Sequence, residues 1–388
     1  MLNSYPIPNV PLLRFAFLTM IIAASNFLFA LPANCNSAAP ARLAIYYGYP
    51  SLVNGSAGDA EKAAAVFSAY DVLVFGDGLE FADKQSGRYP EGDPAEHQKT
   101  LQIISSIRRR NPATRIYGYV CLGEIPWPKG QQSSLSPQQL QERIQLWKQM
   151  GVSGIFLDEV GYDYPVVTRE RQNLAVRMIH ELGLSAFMNA YFIDHLFSVD
   201  SKLPNSNGPE KNPKGLAPLL DQRDLFLLES FQIKNGTYET AEAVQERLNQ
   251  SLKYRHHFGT RIFATTTTTP QQPFSAEQFN YAWWTARLYA LDGFSWGEPY
   301  FAAANNSLPE RRCAADTTRA IVFDSTSSVK ADNNLMWRQS GPFVVIVDSS
   351  NHSVRRISGK DSADPKLVKT WLTSSPAQFP LSCAGAAE

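Results

Sequence analysis

The stretch Gly154-Ile155-Phe156-Leu157-Asp158-Glu159 joins a short apolar run to two adjacent acids. Such a run is typical of a buried strand in a parallel sheet whose end carries functional side chains. Successive side chains of a strand point to opposite faces. Ile155 and Leu157 are therefore expected to face covering helices, whereas Phe156 and Asp158 face the other way, with Asp158 at the open end.

Seven further runs of this kind recur along the chain, at Leu43–Tyr47, Asp71–Phe75, Arg115–Val120, Ser185–Asn189, Leu225–Ser230, Arg261–Thr265 and Gly293–Gly297. Amphipathic patterns between them predict helices at Ala57–Tyr70, Ala95–Arg110, Ser136–Met150, Thr168–Leu182, Thr240–Phe258 and Ser275–Leu291. Eight strands alternating with helices predict an α/β fold, a closed (β/α)₈ TIM barrel.

The barrel is expected to occupy residues 42–305. An open doubly wound sheet is the alternative, but Tyr47-Gly48-Tyr49-Pro50 after the first strand is not a glycine-rich phosphate loop, which disfavours it. The fifth crossover, Asp194–Asp221, is rich in Pro, Asn and Gly and is expected to be only partly helical, an extended loop over the mouth of the barrel. A helix after the eighth strand is poorly marked.

Residues 311–388 are expected to form a small β-rich C-terminal extension. Strands are predicted at Ala320–Phe323 and Pro342–Val347, with turns at Asn333-Asn334 and Ser349–Asn351. The pattern leaves open whether this region is a separate appendage or wraps the barrel.

Residues 1–35 are predicted to be a signal peptide. Arg14 is the only charged side chain before residue 36, and an apolar run follows from Phe15 to Ala30, with cleavage expected near Ala30 or Ala33. An uncleaved anchor and a lipoprotein site at Cys35 are the alternatives. The prediction is a secreted or periplasmic, cell-envelope protein with no membrane span in the mature chain.

The composition restricts the partners. The 36 basic and 36 acidic residues give a formal net charge of zero, and no basic stripe is present, which excludes nucleic acid as the expected partner. No cofactor is predicted, and no metal-binding motif is found. A monomer acting on a polysaccharide is expected.

Four cysteines are present, with no zinc-type or redox-type spacing. Cys313 and Cys383 bracket the C-terminal region; they either pair in an oxidising compartment or remain free thiols. Cys121, near a predicted strand end, is expected to be a small buried residue.

In a TIM barrel the functional groups lie where the strands end, and here those ends are acidic and aromatic. Asp158 and Glu229 follow the fourth and sixth strands and are predicted to face each other as the paired carboxylates that glycosidases use. Glu159 is the third catalytic candidate; an ion pair or a structural cap is the other interpretation of these acids. The candidate substrate-binding residues are Tyr47, Asp77, Tyr119, Asn189, Tyr191 and Trp296. A tight turn explains Asp77 and hydrogen bonding within the core or loop explains Asn189 and Tyr191 equally well, whereas burial in the core is the commoner outcome for a tryptophan such as Trp296.

Gly154–Glu159, together with Glu229 at the sixth strand, resembles the spherulin-4-like and polygalactosaminidase-type glycoside hydrolases. The likeness covers about residues 42–300. It implies a (β/α)₈ enzyme that cuts α-1,4-linked galactosamine or N-acetylgalactosamine exopolysaccharides. By that resemblance Asp158 is the nucleophile, Glu229 the acid/base, and Glu159 assists or binds substrate, in an endo-acting, retaining enzyme.

Two other functions fit a barrel with such a mouth. A non-catalytic glycan-binding barrel in exopolysaccharide assembly needs the same aromatic and acidic residues, but no carboxyl poised as an acid. A deacetylase or amidase needs a metal or a nucleophilic Ser or Cys, and the sequence marks neither.

Overall fold

The computed structural model describes residues 39–84, 92–124, 133–272, 274–298, 301–303, 305–313, 321–323, 328–332, 334–359, 365–374, 378–381 and 383. The predicted signal peptide, Asn333 and Ala320 lie outside the described residues. Among the described helices, none is long and apolar enough to cross a membrane.

Eight parallel strands close into a barrel in the order β1-β10-β9-β6-β5-β4-β3-β2, confirming the predicted TIM barrel. The barrel strands are β1 (Ala41–Tyr46), β2 (Val72–Phe75), β3 (Arg115–Cys121), β4 (Gly154–Asp158), β5 (Ser185–Asn189), β6 (Leu225–Leu228), β9 (Arg261–Thr265) and β10 (Gly293–Ser295). A short hairpin, β7 (Ile233–Lys234) and β8 (Thr237–Tyr238), follows β6.

Seven described α-helices connect the strands; six lie where the amphipathic patterns predict them, and the short α5 lies in the fifth crossover. They are α1 (Ala60–Phe67), α2 (Pro94–Arg110), α3 (Pro137–Gln149), α4 (Arg169–Glu181), α5 (Asp194–Phe197), α6 (Ala241–Phe258) and α7 (Ala276–Leu288). The cap of α3 is visible in the sequence: the Ser136 side chain accepts from the backbone of Gln139, whose side chain bonds back, and Pro137 takes the first helical position.

The two faces of the barrel strands separate as the period-two pattern predicts. Phe156 packs inside the barrel with Tyr117 and Phe187, its ring centroid 5.2 Å from that of Phe187. Ile155 and Leu157 belong to the larger cluster that the barrel shares with the helices. Asp158 continues the inward-facing row, and this alternation brings it to the mouth of the barrel.

The fifth crossover is mostly loop, as expected, because α5 covers only Asp194–Phe197. After β10 no helix occurs in residues 301–303 and 305–313. Ala303 instead bonds to the end of β1: it donates to Ile45 O and accepts from Tyr47 N, both over 2.8 Å. Ala303 therefore lies beside the end of β1.

Beyond the barrel, five antiparallel strands form a second sheet in sequence order, β11 (Lys330–Asp332), β12 (Leu335–Ser340), β13 (Phe343–Asp348), β14 (Ser353–Ser358) and β15 (Gln378–Pro380), with helix α8 (Pro365–Ser374). Trp337, Val344 and Ile346 pack with Val368 of α8. The sheet also contacts α7, where Arg338 donates to Leu288 O over 3.3 Å.

The strand predicted at Pro342–Val347 is confirmed by β13, but the one predicted at Ala320–Phe323 is wrong, because residues 321–323 form no strand. Ile321 and Phe323 are buried and Val322 is exposed, the alternation that suggested a strand. Side chains take the carbonyl groups instead: Arg287 donates to Ile321 O, and Ser340 Oγ donates to Val322 O.

Of the two states left open for Cys313 and Cys383, the structure has the disulfide. The bond closes a loop across a sequence separation of 70 residues. Asn280 of α7 holds the same end of the chain, because it donates to Leu381 O and accepts from Cys383 N. Cys121 is buried at the end of β3, as expected.

Candidate active site

Three neighbouring strands bring the two candidate carboxylates together. Asp158 ends β4, Asn189 ends β5, and Glu229 follows β6 directly. Asn189 Nδ2 donates to Asp158 Oδ1 over 2.9 Å and to Glu229 Oε2 over 3.2 Å. One amide group therefore bridges the two acids across the mouth of the barrel.

This shared donor fixes how far apart the carboxylates lie. The two accepting oxygens can be separated by no more than about 6.1 Å, the sum of the two bonds. Both side chains are partly exposed, so solvent reaches the pair.

The Asp158 carboxylate is the better stabilised of the two. Besides Asn189, Oδ1 accepts from the backbone N–H of Glu159 over 2.9 Å, and Oδ2 accepts from the Tyr119 hydroxyl over 3.1 Å. Burial raises the pKa of Asp158, and the hydrogen bonds from Asn189, the Glu159 backbone and Tyr119 oppose that rise. Hydrogen bonds donated to a carboxylate favour its charged form.

Glu229 receives fewer donors. Burial raises its pKa; the Asn189 hydrogen bond lowers it, the charge of Asp158 raises it, and the charges of Arg247 and Lys234 lower it. Within the described part of the chain, neither Asp158 nor Glu229 forms an ion pair through its carboxylate. Glu229 thus accepts one described hydrogen bond where Asp158 accepts three.

Glu159 turns away from this pair. Its backbone is left-handed, with φ 54°, and its Oε2 accepts from the backbone N–H of Glu124 over 2.9 Å and from the Cys121 thiol. A Cβ on Gly123 would lie 2.6 Å from Glu159 Oε2, so the loop after β3 needs a glycine there to accept the carboxylate. The structure places Glu159 beside the site and in contact with the loop, not facing Glu229.

Aromatic rings line the mouth on the β1 and β3 side. Tyr47 lies edge-on to Tyr119 at 5.4 Å and to Phe301 at 5.8 Å between ring centroids. Burial and then the charges of Asp158, Glu229 and Asp77 raise the pKa of Tyr47, so its hydroxyl stays neutral. That hydroxyl is buried and has no hydrogen-bond partner among the described residues.

Tyr191, just after β5, lies on the other side of the mouth. Its hydroxyl accepts from Lys234 Nζ over 2.6 Å, and the Arg247 guanidinium lies 4.9 Å from the centre of its ring. The ring therefore holds two cations close to Glu229. Neither Lys234 nor Arg247 could be predicted from the sequence, because a lysine in a hairpin and an arginine on a helix carry no signal of which strand end they approach.

Asp77, predicted to bind substrate, is held by Arg143 of α3, which also binds Glu80. Arg143 and Glu80 are 2% and 1% exposed, so this is an ion-pair cluster beneath the β2 end of the mouth. Burial raises the pKa of Glu80 to about 7, against the opposing charge of Arg143. Asp77 still acts on the site through its charge, which contributes to the raised pKa values of Asp158 and Tyr47.

Trp296, the last of the substrate-binding candidates, is 6% exposed. Its ring packs against Phe274 and Phe279, in the cluster that the barrel shares with the helices. This position is that of a core side chain, away from the acids on the inner face.

One group among the described residues has the geometry to hold a metal ion, namely His180, Asp221 and Asp224. Asp224 precedes β6, at the end of the barrel opposite the mouth. Its two oxygens already accept from His180, from Ala186 N and from Asp221 N. These bonds tie α4, β5 and the start of β6 together, which is a structural function.

No protein-family model matches this sequence, and no curated protein matches it. Several solved structures are similar. The glycoside hydrolase domain of PelA from Pseudomonas aeruginosa is 16% identical, with a TM-score of 0.37, covering 66% of this chain and 93% of that one. The endo-beta-1,4-glucanase Xac0029 from Xanthomonas axonopodis pv. citri is 13% identical, with a TM-score of 0.40, covering 66% and 87%.

An alpha-amylase from Geobacillus thermoleovorans is 9% identical, with a TM-score of 0.45, covering 81% of this chain and 86% of its own. These structural neighbours are glycoside hydrolases. A fold does not by itself assign a function, so the chemistry must be argued from the side chains at the mouth.

Proposed function

We propose that this protein is a secreted or cell-envelope glycoside hydrolase that cleaves an amino-sugar polysaccharide, of the galactosamine or N-acetylgalactosamine type. The observation that carries the proposal is the bridge of Asn189 between Asp158 and Glu229. Two carboxyl groups held at this separation, in a solvent-reachable mouth at the C-terminal face of a barrel, are what cleavage of a glycosidic bond requires.

The two carboxyl groups take different roles because their surroundings differ. Asp158 accepts three hydrogen bonds and is the nucleophile, since these bonds keep it charged. Glu229 accepts one described hydrogen bond and holds a proton more easily, so it protonates the leaving oxygen and then activates water. Separating two neighbouring carboxyl groups into a charged one and a protonated one is the usual way to obtain both roles at one pH.

The spacing favours retention of configuration. Retaining enzymes hold their carboxyl groups about 5–5.5 Å apart, whereas inverting enzymes leave roughly 6.5–9.5 Å for a water molecule. The two oxygens that accept from Asn189 lie at most about 6.1 Å apart, below the separation that inverting enzymes use, which supports retention. Following the anomer of the first-formed product by NMR tests this directly: an inverted product would contradict the assignment of Asp158 as nucleophile.

The charge of the mouth suits an amino sugar. Asp158 and Glu229 lie at the mouth and Glu159 lies beside it, and a protonated or acetylated amine can donate hydrogen bonds to carboxylates. Tyr47 and Tyr119 supply the aromatic surface against which sugar rings pack. We also propose endo action, which is cleavage within the polysaccharide chain. The length of the first products released from the polymer tests this.

The deciding experiment measures reducing ends released from purified galactosamine-containing polymers and from peptidoglycan. Glu229→Gln is expected to lose roughly 10²–10⁴-fold in kcat, the contribution of a general acid, and Asp158→Asn at least as much. Glu61→Gln is the matched control. Glu61 lies on α1 and is an exposed ion-pair partner of Arg109 and Arg110 of α2. Unchanged activity in both active-site variants rejects the assignment, and binding without turnover by the wild type supports a glycan-binding barrel instead.

A further inference from the structure

Arg247 of α6 contacts the main chain at the end of β6. Its guanidinium donates through Nη2 to the carbonyl of Glu229 and through Nη1 to the carbonyl of Ser230, the latter over 3.4 Å. Ser230 has a left-handed backbone, with φ 54°, so the chain turns sharply immediately after Glu229. The planar fork of arginine is suited to holding two adjacent acceptors in one arrangement.

The charge of Arg247 is not neutralised by an acid. Within the described ranges the guanidinium has no carboxylate partner, and its Nε is buried without a hydrogen-bond partner. It also faces the Tyr191 ring, and the charges of Glu239 and Glu229 act on it without forming an ion pair with it. Burying a cation with carbonyl groups and an aromatic ring as its only close partners is costly, and burial indeed lowers the pKa of Arg247.

We infer that Arg247 is a positioning residue for Glu229: its two hydrogen bonds fix the main chain from which the carboxyl group projects, and its guanidinium brings a positive charge to the end of β6. The inference rests on the proposed function, in which Glu229 is the acid/base. Arg247 does not need to touch the substrate, because it acts through the backbone and through its electrostatic field.

Several other groups also affect the pKa of Glu229. Asp158 of β4 raises the pKa of Glu229, Lys234 of the hairpin lowers it, and the Asn189 amide lowers it. Tyr47 is neutral, as its raised pKa requires. Glu239 acts on Arg247 and Lys234 in turn. Substitutions of Arg247 leave all of these groups in place.

The experiment measures the titration of the Glu229 side-chain carboxyl carbon by ¹³C NMR, with the resonance assigned by its loss in Glu229→Gln. In Arg247→Gln the pKa of Glu229 is expected to rise, because a positive charge that favours the charged carboxylate is removed. The basic limb of the pH–activity profile, which reports loss of the acid's proton, moves up by the same amount. Arg247→Lys keeps the charge, so neither the pKa of Glu229 nor the basic limb moves. The kcat of this variant falls at least about threefold, because a lysine cannot hold both carbonyl groups as the planar guanidinium does.

Arg255→Gln is the matched control. Arg255 lies two turns further along α6, donates to Ala290 O over 2.7 Å and pairs with Asp292 at the opposite end of the barrel. Its removal is expected to leave the Glu229 titration unchanged. A uniform loss of kcat in Arg247→Gln at every pH, with an unmoved Glu229 titration, overturns the inference.

The two proposals fail in different ways. If the wild type cleaves no glycan, the proposed function fails, while the NMR titration still decides whether Arg247 controls the proton on Glu229. If the wild type is active but its basic limb does not move in Arg247→Gln, only this inference fails. Should Arg247→Gln not fold, an unchanged kcat in Arg247→Lys overturns the positioning role.

Discussion

The Tyr119 hydroxyl donates to Asp158 Oδ2 over 3.1 Å, which joins the end of β3 to the end of β4 at the centre of the mouth. The bond stabilises the charged carboxylate, so it opposes the effect of burial on the pKa of Asp158.

Tyr119→Phe is expected to lower kcat/KM by about 10- to 100-fold, because a hydrogen bond to a charged group contributes about 1.5–3 kcal/mol. Without the bond the pKa of Asp158 rises further. A nucleophile must be charged, so the acidic limb of the pH–activity profile moves to higher pH. Tyr117→Phe is the control: Tyr117 lies deeper in the same strand, bonds to Ser185 Oγ over 3.0 Å, and its loss should reduce stability without moving the limb. An unmoved acidic limb in Tyr119→Phe would contradict the role given to this bond.

Glu80 makes stability depend on pH. Its folded pKa of about 7 lies above its ordinary value of 4.5, because burial disfavours the charge. Between these two values the folded protein holds a proton that the unfolded chain has lost. The stabilisation is complete below about pH 4.5, and it is lost as the pH rises through 7.

Glu80→Gln cannot release a proton, so the fall in the free energy of unfolding between pH 4.5 and 7 should be shallower in this variant than in the wild type. Urea unfolding at intervals from pH 4.5 to 8 measures the difference. Equal slopes in the two proteins would show that Glu80 is charged throughout this range.

Gly118 is required by the packing of α3 on the barrel. A Cβ at this position would meet the Trp147 ring in direct overlap, and Trp147 is fully buried. Gly118→Ala is expected to destabilise the protein by about 1–3 kcal/mol, the usual cost of overpacking a core. Thermal unfolding measures this loss, and Gly118→Ala/Trp147→Leu should recover part of it. A Gly118→Ala variant as stable as the wild type would contradict the close approach of strand and helix.

The Cys313–Cys383 bond is expected to stabilise the C-terminal region. For a loop of about 70 residues, the loss of chain entropy in the unfolded state gives a stabilisation of about 4 kcal/mol. Cys313→Ser/Cys383→Ser should therefore unfold at a lower temperature under non-reducing conditions, with reductant having little further effect. An identical melting temperature for the variant and the oxidised wild type would contradict a stabilising disulfide.

Local sequence patterns predicted the barrel and its order of elements. Each barrel strand is a short apolar run buried on both faces, so its period and length are visible without any tertiary knowledge. The C-terminal sheet was predicted less well: the alternation in residues 321–323 is real, but the side chains of Arg287 and Ser340 took the carbonyl groups that a strand partner would have bonded. Competition of this kind between distant residues leaves no local trace.

The sequence by itself determined that acids and aromatic residues follow the barrel strands, because parallel strands in a closed barrel all end at one face. Only the tertiary structure decided what each acid does there. In the folded chain Asn189 hydrogen-bonds to both Asp158 and Glu229. Glu159 instead accepts from the Glu124 backbone, and Arg247 of α6 contacts the end of β6. The physical reason is range: strand periodicity is set by neighbours in the chain, whereas a hydrogen bond or a charge acts on whatever lies within a few ångströms, however far away in sequence.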